Sequence, residues 1–247
     1  MTDPAAQQWP RIRPAGLDGL LVSFGDRLSE PANRAALAFR AAVERAGWDG
    51  VEECSTSLVS VYLRLDPLAA DPGTIRAQAD ALLAGRNWYD APLPQGRRLW
   101  RIPTVYGTGL APQLHEAAQE AGLGVDDAIA HLSGTRLRVQ TIGFAPGQPY
   151  LGELPPEWDI PRQTALTDSV PVGALTVAIR QVVLFSVSTP TGWRHAGQTA
   201  IRLFRPESAT PFILRPGDEV LFPQVTPEEL ENMRSDADGG ARAEALA

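Results

Sequence analysis

The chain contains no lysine, because all 22 of its basic residues are arginine. A phosphate-cradling loop ending in Gly-Lys, a Schiff-base lysine and a biotinylated lysine are therefore excluded within it. Cys54 is its one cysteine, so no internal disulfide forms, a usage that fits a reducing, cytoplasmic setting. The three histidines, His115, His131 and His195, lie far from one another and from Cys54 in sequence, which gives no metal-ligand spacing and no expected metal site. No apolar run approaches the ~20 residues of a membrane span, and Met1-Thr2-Asp3-Pro4 opens no basic segment followed by an apolar one. Neither a membrane contact nor a secretory signal is expected. The net charge is −7 and no basic stripe carries interleaved aromatics, which argues against nucleic acid as a partner.

What is present suits a folded protein. The 247 residues, 44% hydrophobic and 21% charged, allow one large domain or two small ones with a real core. Residues 1–18 read as a poorly ordered arm, and Leu20-Leu21-Val22-Ser23-Phe24 as a strand. A helix follows, capped by Ser29, with Pro31 in its first turn, Ala36, Phe39, Val43 and Ala46 on one face, and Gly47 at its end. A strand over 58–65, with a possible shorter one at 51–54, and a helix over 74–84 complete a small α+β sandwich spanning 1–90. Residues 90–98 read as a linker. Beyond a strand at 99–102 and helices at 111–121 and 125–132, the chain turns to short strands at 137–142, 175–180, 182–187, 199–205, 212–214 and 219–222. That spacing predicts a β-barrel or sandwich over 91–227, and the acidic, Ala/Gly-rich residues 228–247 are expected to fray.

No catalytic motif is complete by spacing alone. The prominent feature is the segment Ile142-Gly143-Phe144-Ala145-Pro146-Gly147-Gln148-Pro149-Tyr150-Leu151-Gly152, whose glycines and prolines fix a backbone path while Phe144 and Tyr150 offer flat apolar surface. It either lines a cleft or covers one barrel end. The segment resembles the G-F-x-P-G-F-P-Y-L-G of the family containing the B-type subunit of 5-oxoprolinase, the first subunit of allophanate hydrolase and the Kip-type kinase inhibitor. Ile102-Pro103-Thr104-Val105-Tyr106-Gly107, His131, Pro161-Arg162, Val170-Pro171-Val172-Gly173-Ala174, Gln181, Gly192-Trp193, Gly197, Thr199, Leu203-Phe204 and Gly217-Asp218 follow the family's motifs in order. The resemblance spans roughly 18–225.

The resemblance implies a small α+β N-terminal domain followed by a cyclophilin-like β-barrel. It also implies pairing with a homologous A-type barrel subunit, the pair acting on an amide, lactam or urea-like group in a hydrolase or carboxyltransferase reaction. No cofactor is expected on this chain alone, and ATP is expected in the assembled complex. The alternative is a non-catalytic inhibitor or scaffold of a protein kinase or partner enzyme, and a third reading is recruitment to a specialised pathway. The catalytic candidates are His131, Arg162, Gln181 and His195; the substrate-binding candidates are Phe144, Pro146, Gly147, Gln148, Tyr150, Trp193, Gln198 and Thr199.

Each candidate has a plainer alternative. His195 suits proton transfer near neutral pH or is a partly exposed strand residue, and His131 either hydrogen-bonds across a cleft or ends a helix. Arg162 holds an anion or pairs with Asp159 or Glu157; Trp193 packs or contacts ligand. An inward Gln181 is costly unless satisfied. The chain also departs from the family pattern: Gln148 replaces a phenylalanine, Leu166-Thr167 the second Pro-Arg, Thr191 a glycine and Gln198 an arginine or lysine. Two cationic positions are thus neutral, with Arg180 and Arg194 nearby in sequence as compensating candidates. Weak turnover of 5-oxoproline is expected.

Overall fold

A computed structural model describes residues 9–246, and the chain divides into two compact units between Pro94 and Gln95. In the first unit, β1 (Arg11–Pro14), β2 (Gly19–Ser23), β3 (Val51–Ser57) and β4 (Ser60–Leu65) form an antiparallel sheet ordered β1-β2-β4-β3. Leu20, Val22, Val61, Leu63 and Leu65 alternate onto one face, where α1 (Glu30–Ala46) and α2 (Pro72–Ala84) cover them with Ala36, Phe39, Val43, Ile75 and Ala79. Ser29 caps α1 by accepting the Ala32 N–H, and Gly47 closes it at φ 57°. The expected disordered arm is in part a strand, because Arg11–Pro14 pairs along the edge of β2; residues 1–8 lie outside the described residues. The strand expected from Leu58 begins at Ser60, since Leu58 turns the β3–β4 hairpin at φ 48°.

The second unit contains β5 (Arg98–Arg101), β6 (Thr104–Tyr106), α3 (Leu114–Glu120), α4 (Val125–Gly134), β7 (Leu137–Ile142), β8 (Pro149–Gly152), β9 (Thr167–Val170) and β10 (Ala174–Ala178). It continues with β11 (Gln181–Leu184), β12 (Thr189–Thr191), β13 (Arg194–Thr199), β14 (Glu219–Leu221), α5 (Pro227–Met233) and β15 (Arg242–Ala245). Nine strands form one sheet in the order β15-β5-β14-β7-β8-β11-β10-β13-β6, while β9 and β12 pair separately. The sheet curls shut because β5 and β6 act as one strand bent at Ile102-Pro103. Its first half pairs with β14 in parallel, and its second half pairs with β13 on one side and bridges Gln224 on the other. The fold class is therefore α+β, a small sandwich followed by a curled, barrel-like sheet of the cyclophilin-like type.

Leu137, Val139, Leu151, Leu175, Val177, Val182, Leu184 and Val220 fill the inner face, against Leu114 of α3 and Leu132 of α4. At the seam, Asp218 is 2% exposed and takes hydrogen bonds from the Arg98 backbone, the Arg98 guanidinium, the Trp100 indole and the Arg215 backbone. A buried carboxylate is tolerated only when so fully satisfied.

Three expectations need correction here. Residues 199–205 are not a strand; the strand lies earlier, at Arg194–Thr199, and only Phe204 bridges Phe212 beyond it. Strands expected at 175–180 and 182–187 are shorter, because Ile179 and Arg180 adopt positive φ to make the β10–β11 turn. The tail does not fray through 228–245. Thr226 and Glu229 form a capping box for α5, Leu230 is fully buried, and β15 pairs with β5.

Candidate functional site

The same strands that bury leucines and valines inward carry a second set of side chains on the outer face. Cross-strand register aligns Thr141, Tyr150, Val183, Thr176 and His195 in one row. A neighbouring row holds Gly152, Gln181 and Ala178, and the next pairs Ala174 with Gln198. Small residues in these rows leave room for rings. Trp193 meets Tyr150 edge-on at 6.3 Å between centroids, over Ala174, Ala178, Val183 and Phe185, with Val170 of β9 packed against them.

A bulge creates part of this arrangement. Opposite Leu175 and Thr176, β13 places Gly197 and His195, so Ala196 is the extra residue and joins the inner core. In an unbroken strand, residues three apart face opposite ways; the bulge puts His195 and Gln198 on the same outer face. Both are buried, at 4% and 3% exposure. Burial holds the His195 imidazole below the usual histidine range, against the opposing effects of the Gln198 side chain and the Gly197 backbone. His195 is thus neutral near pH 7, and the expectation of a partly exposed strand residue does not hold.

The backbone of β13 is clamped by residues that carry no sequence signal. Gln113, before α3, donates its N–H to the His195 carbonyl at 3.0 Å and accepts the His195 N–H on its side chain at 2.9 Å. The Gln113 carboxamide also donates to Gln163 at 2.8 Å, which reaches the Trp193 carbonyl at 3.2 Å and Thr167 at 3.4 Å. Arg194 is almost fully buried, paired with Glu116 at 2.9 Å and Glu120 at 3.6 Å, and donates to the Pro161 carbonyl at 2.6 Å. It therefore fixes the backbone next to Arg162 and is not free to replace a lost charge at the site. Arg180 is likewise engaged, by Glu153 and the Leu154 carbonyl.

The remaining candidates divide into those the fold gathers and those it does not. Gln181 donates to Gln140 at 2.8 Å, beside a Gly152 whose absent Cβ would lie 2.5 Å from the Gln140 amide. Arg162 is exposed, with its guanidinium beside Gly192, and has no ion-pair partner among the described residues. Gln148 is buried and accepts from the Ser186 N–H at 3.4 Å. Thr199 donates to the Gly173 carbonyl and lines a cavity of about 370 Å³ with Val172, Arg202 and Arg234; those two arginines are paired with Glu207 and Glu231. Phe144, at φ 71°, and Pro146 stand on a loop whose Gly147 packs against the Leu203 carbonyl. His131 belongs to α4, whose Ala128 and Leu132 enter the inner core, and no described contact joins it to the outer-face group.

Residues 10–214 match the model of the carboxyltransferase domain, subdomain C and D. The chain belongs to this family. The B-type subunit of 5-oxoprolinase from Bacillus subtilis (strain 168) is 29% identical over 231 residues, covering 89% of this chain and 94% of that protein. A solved structure of TTHA0988 aligns at TM-score 0.71 with 31% identity over 87% of this chain, which spans 40% of that longer one. The Kluyveromyces lactis urea carboxylase aligns at TM-score 0.71 but 18% identity, over 96% of this chain and 24% of its own, and shares the fold. Among the described residues of this carboxyltransferase-family chain, no helix is long and apolar enough to cross a membrane.

Proposed function

We propose that this chain is the B-type subunit of a heteromeric, cytoplasmic, 5-oxoprolinase-like hydrolase that opens a small amide or lactam, with its ligand site on the outer face of the barrel sheet. The observations that carry the reading are the edge-to-face Tyr150–Trp193 pair and the exposed guanidinium of Arg162, which lies beside Gly192, the residue preceding Trp193. Flat apolar rings next to an unneutralised cation suit a small, partly anionic ring. The 29% identity to a B-type 5-oxoprolinase subunit along nearly its whole length supports the reaction class.

The site as it stands holds one neutral histidine, one free arginine and several amides, and no lysine exists to hold phosphates. The homologous A-type subunit is proposed to complete it and to supply the groups for ATP. Lactam opening adds water across the C–N bond while ATP hydrolysis drives the reaction. Cys54, whose thiol burial pushes up to about 12, stays protonated and takes no part.

The test is co-expression with an A-type subunit from the same locus, size-exclusion chromatography, and ATP-dependent release of glutamate from 5-oxoproline. Co-elution is expected, with activity only in the complex and at least about a hundredfold loss of kcat/KM in Arg162→Met. Separate elution, or full activity of this chain alone, would overturn the reading. Because Gln198 and Thr167 are neutral where the family pattern is cationic, turnover of 5-oxoproline is expected to be slow.

A further inference from the structure

β6 pairs with β13 only over Gly197–Thr199, so no residue of β6 lies opposite His195. Gln113 takes the place of a strand there. Its N–H donates to the His195 carbonyl at 3.0 Å, and its side-chain Oε1 accepts the His195 N–H at 2.9 Å. That backbone donor decides which end of the Gln113 carboxamide is which, because only Oε1 can accept it. Nε2 is left to donate to Gln163 Oε1 at 2.8 Å, and this in turn leaves Gln163 Nε2 for the Trp193 carbonyl at 3.2 Å. The relay starts at a backbone donor of β13 and ends at a backbone acceptor of the residue just before that strand, so both carboxamides are oriented by main chain. Thr167 closes it: its hydroxyl accepts from Gln163 and donates to Gln113, each at 3.4 Å. Donors therefore run one way round a three-membered ring, an arrangement in which each bond reinforces the next.

The ring joins the two parts of the proposed ligand site. Gln163 directly follows Arg162, and its N–H donates to the Gly192 carbonyl at 2.7 Å. A Cβ on Gly192 would lie 3.2 Å from the Gln163 carbonyl and 3.6 Å from Arg162 Nε, so glycine admits the Arg162 segment close against the residue before Trp193. Thr167 stands where the family pattern has an arginine; here the position carries a hydroxyl of an uncharged ring, and Arg162 is the one cation of residues 161–170.

We propose that Gln113 and Gln163 are positioning residues, whose relay, closed by Thr167, holds the Arg162 guanidinium at the Gly192-Trp193 corner and so gives the site its preference for a ligand carrying a carboxylate. This rests on the amide- or lactam-opening reading above and adds to it which residues set the geometry of that site.

The decisive variant is Gln113→Glu. It keeps an acceptor for the His195 N–H and loses only the donor to Gln163. Gln163 Oε1 then meets a carboxylate or, with its amide turned over, meets the Trp193 carbonyl, and neither arrangement is satisfied. Isothermal titration of the assembled complex, without ATP, compares 5-oxoproline with 2-pyrrolidinone, which lacks the carboxylate. The native complex is expected to prefer 5-oxoproline by at least about tenfold, and Gln113→Glu by about threefold or less. Ile75→Val, in the core of the first unit, lowers the urea midpoint and is expected to leave the preference at its native value, which separates positioning from general loss of stability. A second readout needs no ligand. The nuclear Overhauser contact between Arg162 Hε and Gly192 Hα, assigned by its absence in Arg162→Met, is expected in the full native chain and lost in Gln113→Glu. Gln163→Met breaks the same link from the other side, with the same expected results, and serves where Gln113→Glu fails to fold. A native preference or a native Arg162–Gly192 contact that survives in these variants overturns the proposal. If the native complex binds both lactams alike, the lactam-site reading falls, and the Arg162–Gly192 contact alone decides whether the relay places Arg162.

Discussion

The inner and outer faces of the barrel sheet are made by the same strands, residue by residue, yet they obey different rules. Inward, Leu151, Val177, Val182 and Leu184 are fully buried in one continuous apolar core. Outward, Tyr150, Thr176 and Gln181, their immediate neighbours, and His195 of β13 make a mosaic of rings, hydroxyls and amides, some satisfied and some not. The inner core is apolar apart from groups such as the Trp158 indole, whereas the outer face is buried, largely polar, and holds unmatched hydrogen-bonding capacity at His195 and Gln198. A surface of that kind has its polarity fixed in advance of whatever meets it.

The sharpest way to break this contrast is to truncate one side chain on each face. Leu151→Ala is expected to cost about 3 kcal/mol by leaving a cavity in a close-packed core, read as a lower midpoint in urea with an unchanged slope. Trp193→Phe on the outer face keeps an aromatic ring against Tyr150 and is expected to cost about 1 kcal/mol, while weakening ligand binding far more than Leu151→Ala does. Equal stability losses would mean that both faces are ordinary core.

Arg194→Met comes between these in magnitude. It strips Glu116, Glu120 and the Pro161 carbonyl of a buried partner, but both glutamates are half-exposed and rehydrate in part. A loss of about 2 kcal/mol is expected, with weaker binding of anionic ligands at Arg162 because the Pro161 anchor is gone.

The smallest effect is a pH slope. The folded chain holds the His195 proton less tightly than the unfolded chain, so below the unfolded value of about 6.5 the unfolded state takes up more protons. Stability is therefore greatest above that pH and declines as pH falls below it. His195→Gln is expected to flatten that decline between about pH 7 and 5, measured by urea midpoints; an unchanged slope would place the acid sensitivity elsewhere.

Much of this architecture can be read from residue order. Alternating Val61, Leu63 and Leu65, the Ser29 cap and the Gly47 stop announce the first unit, and Gly-Pro punctuation announces the short strands of the second. The motif segments carrying Tyr150, Gln181 and Trp193 do meet on one face, while His131 belongs to α4, which packs on the inner core. A one-residue bulge leaves no compositional trace, so the shared facing of His195 and Gln198 is invisible until register is known. Gln113 escaped for a similar reason: a lone glutamine before a short helix looks like any solvated residue, and only tertiary placement makes it a clamp. The tail misled because a four-residue strand of exposed side chains gains its place from backbone pairing, which hydropathy does not record.

Asp218 gives the barrel a history as well as a shape. The donors it gathers come from Arg98 and Trp100, made 120 and 118 residues earlier, and from Arg215 beside it. On a ribosome adding roughly 5–20 residues per second, the opening strand of this unit waits many seconds for the carboxylate that will latch it. Until then β5 is an unpaired edge with its hydrogen-bonding groups bare. Closure of such distant segments is intrinsically slow, so the interval before the latch is the period in which this protein is most exposed to mispairing with its neighbours.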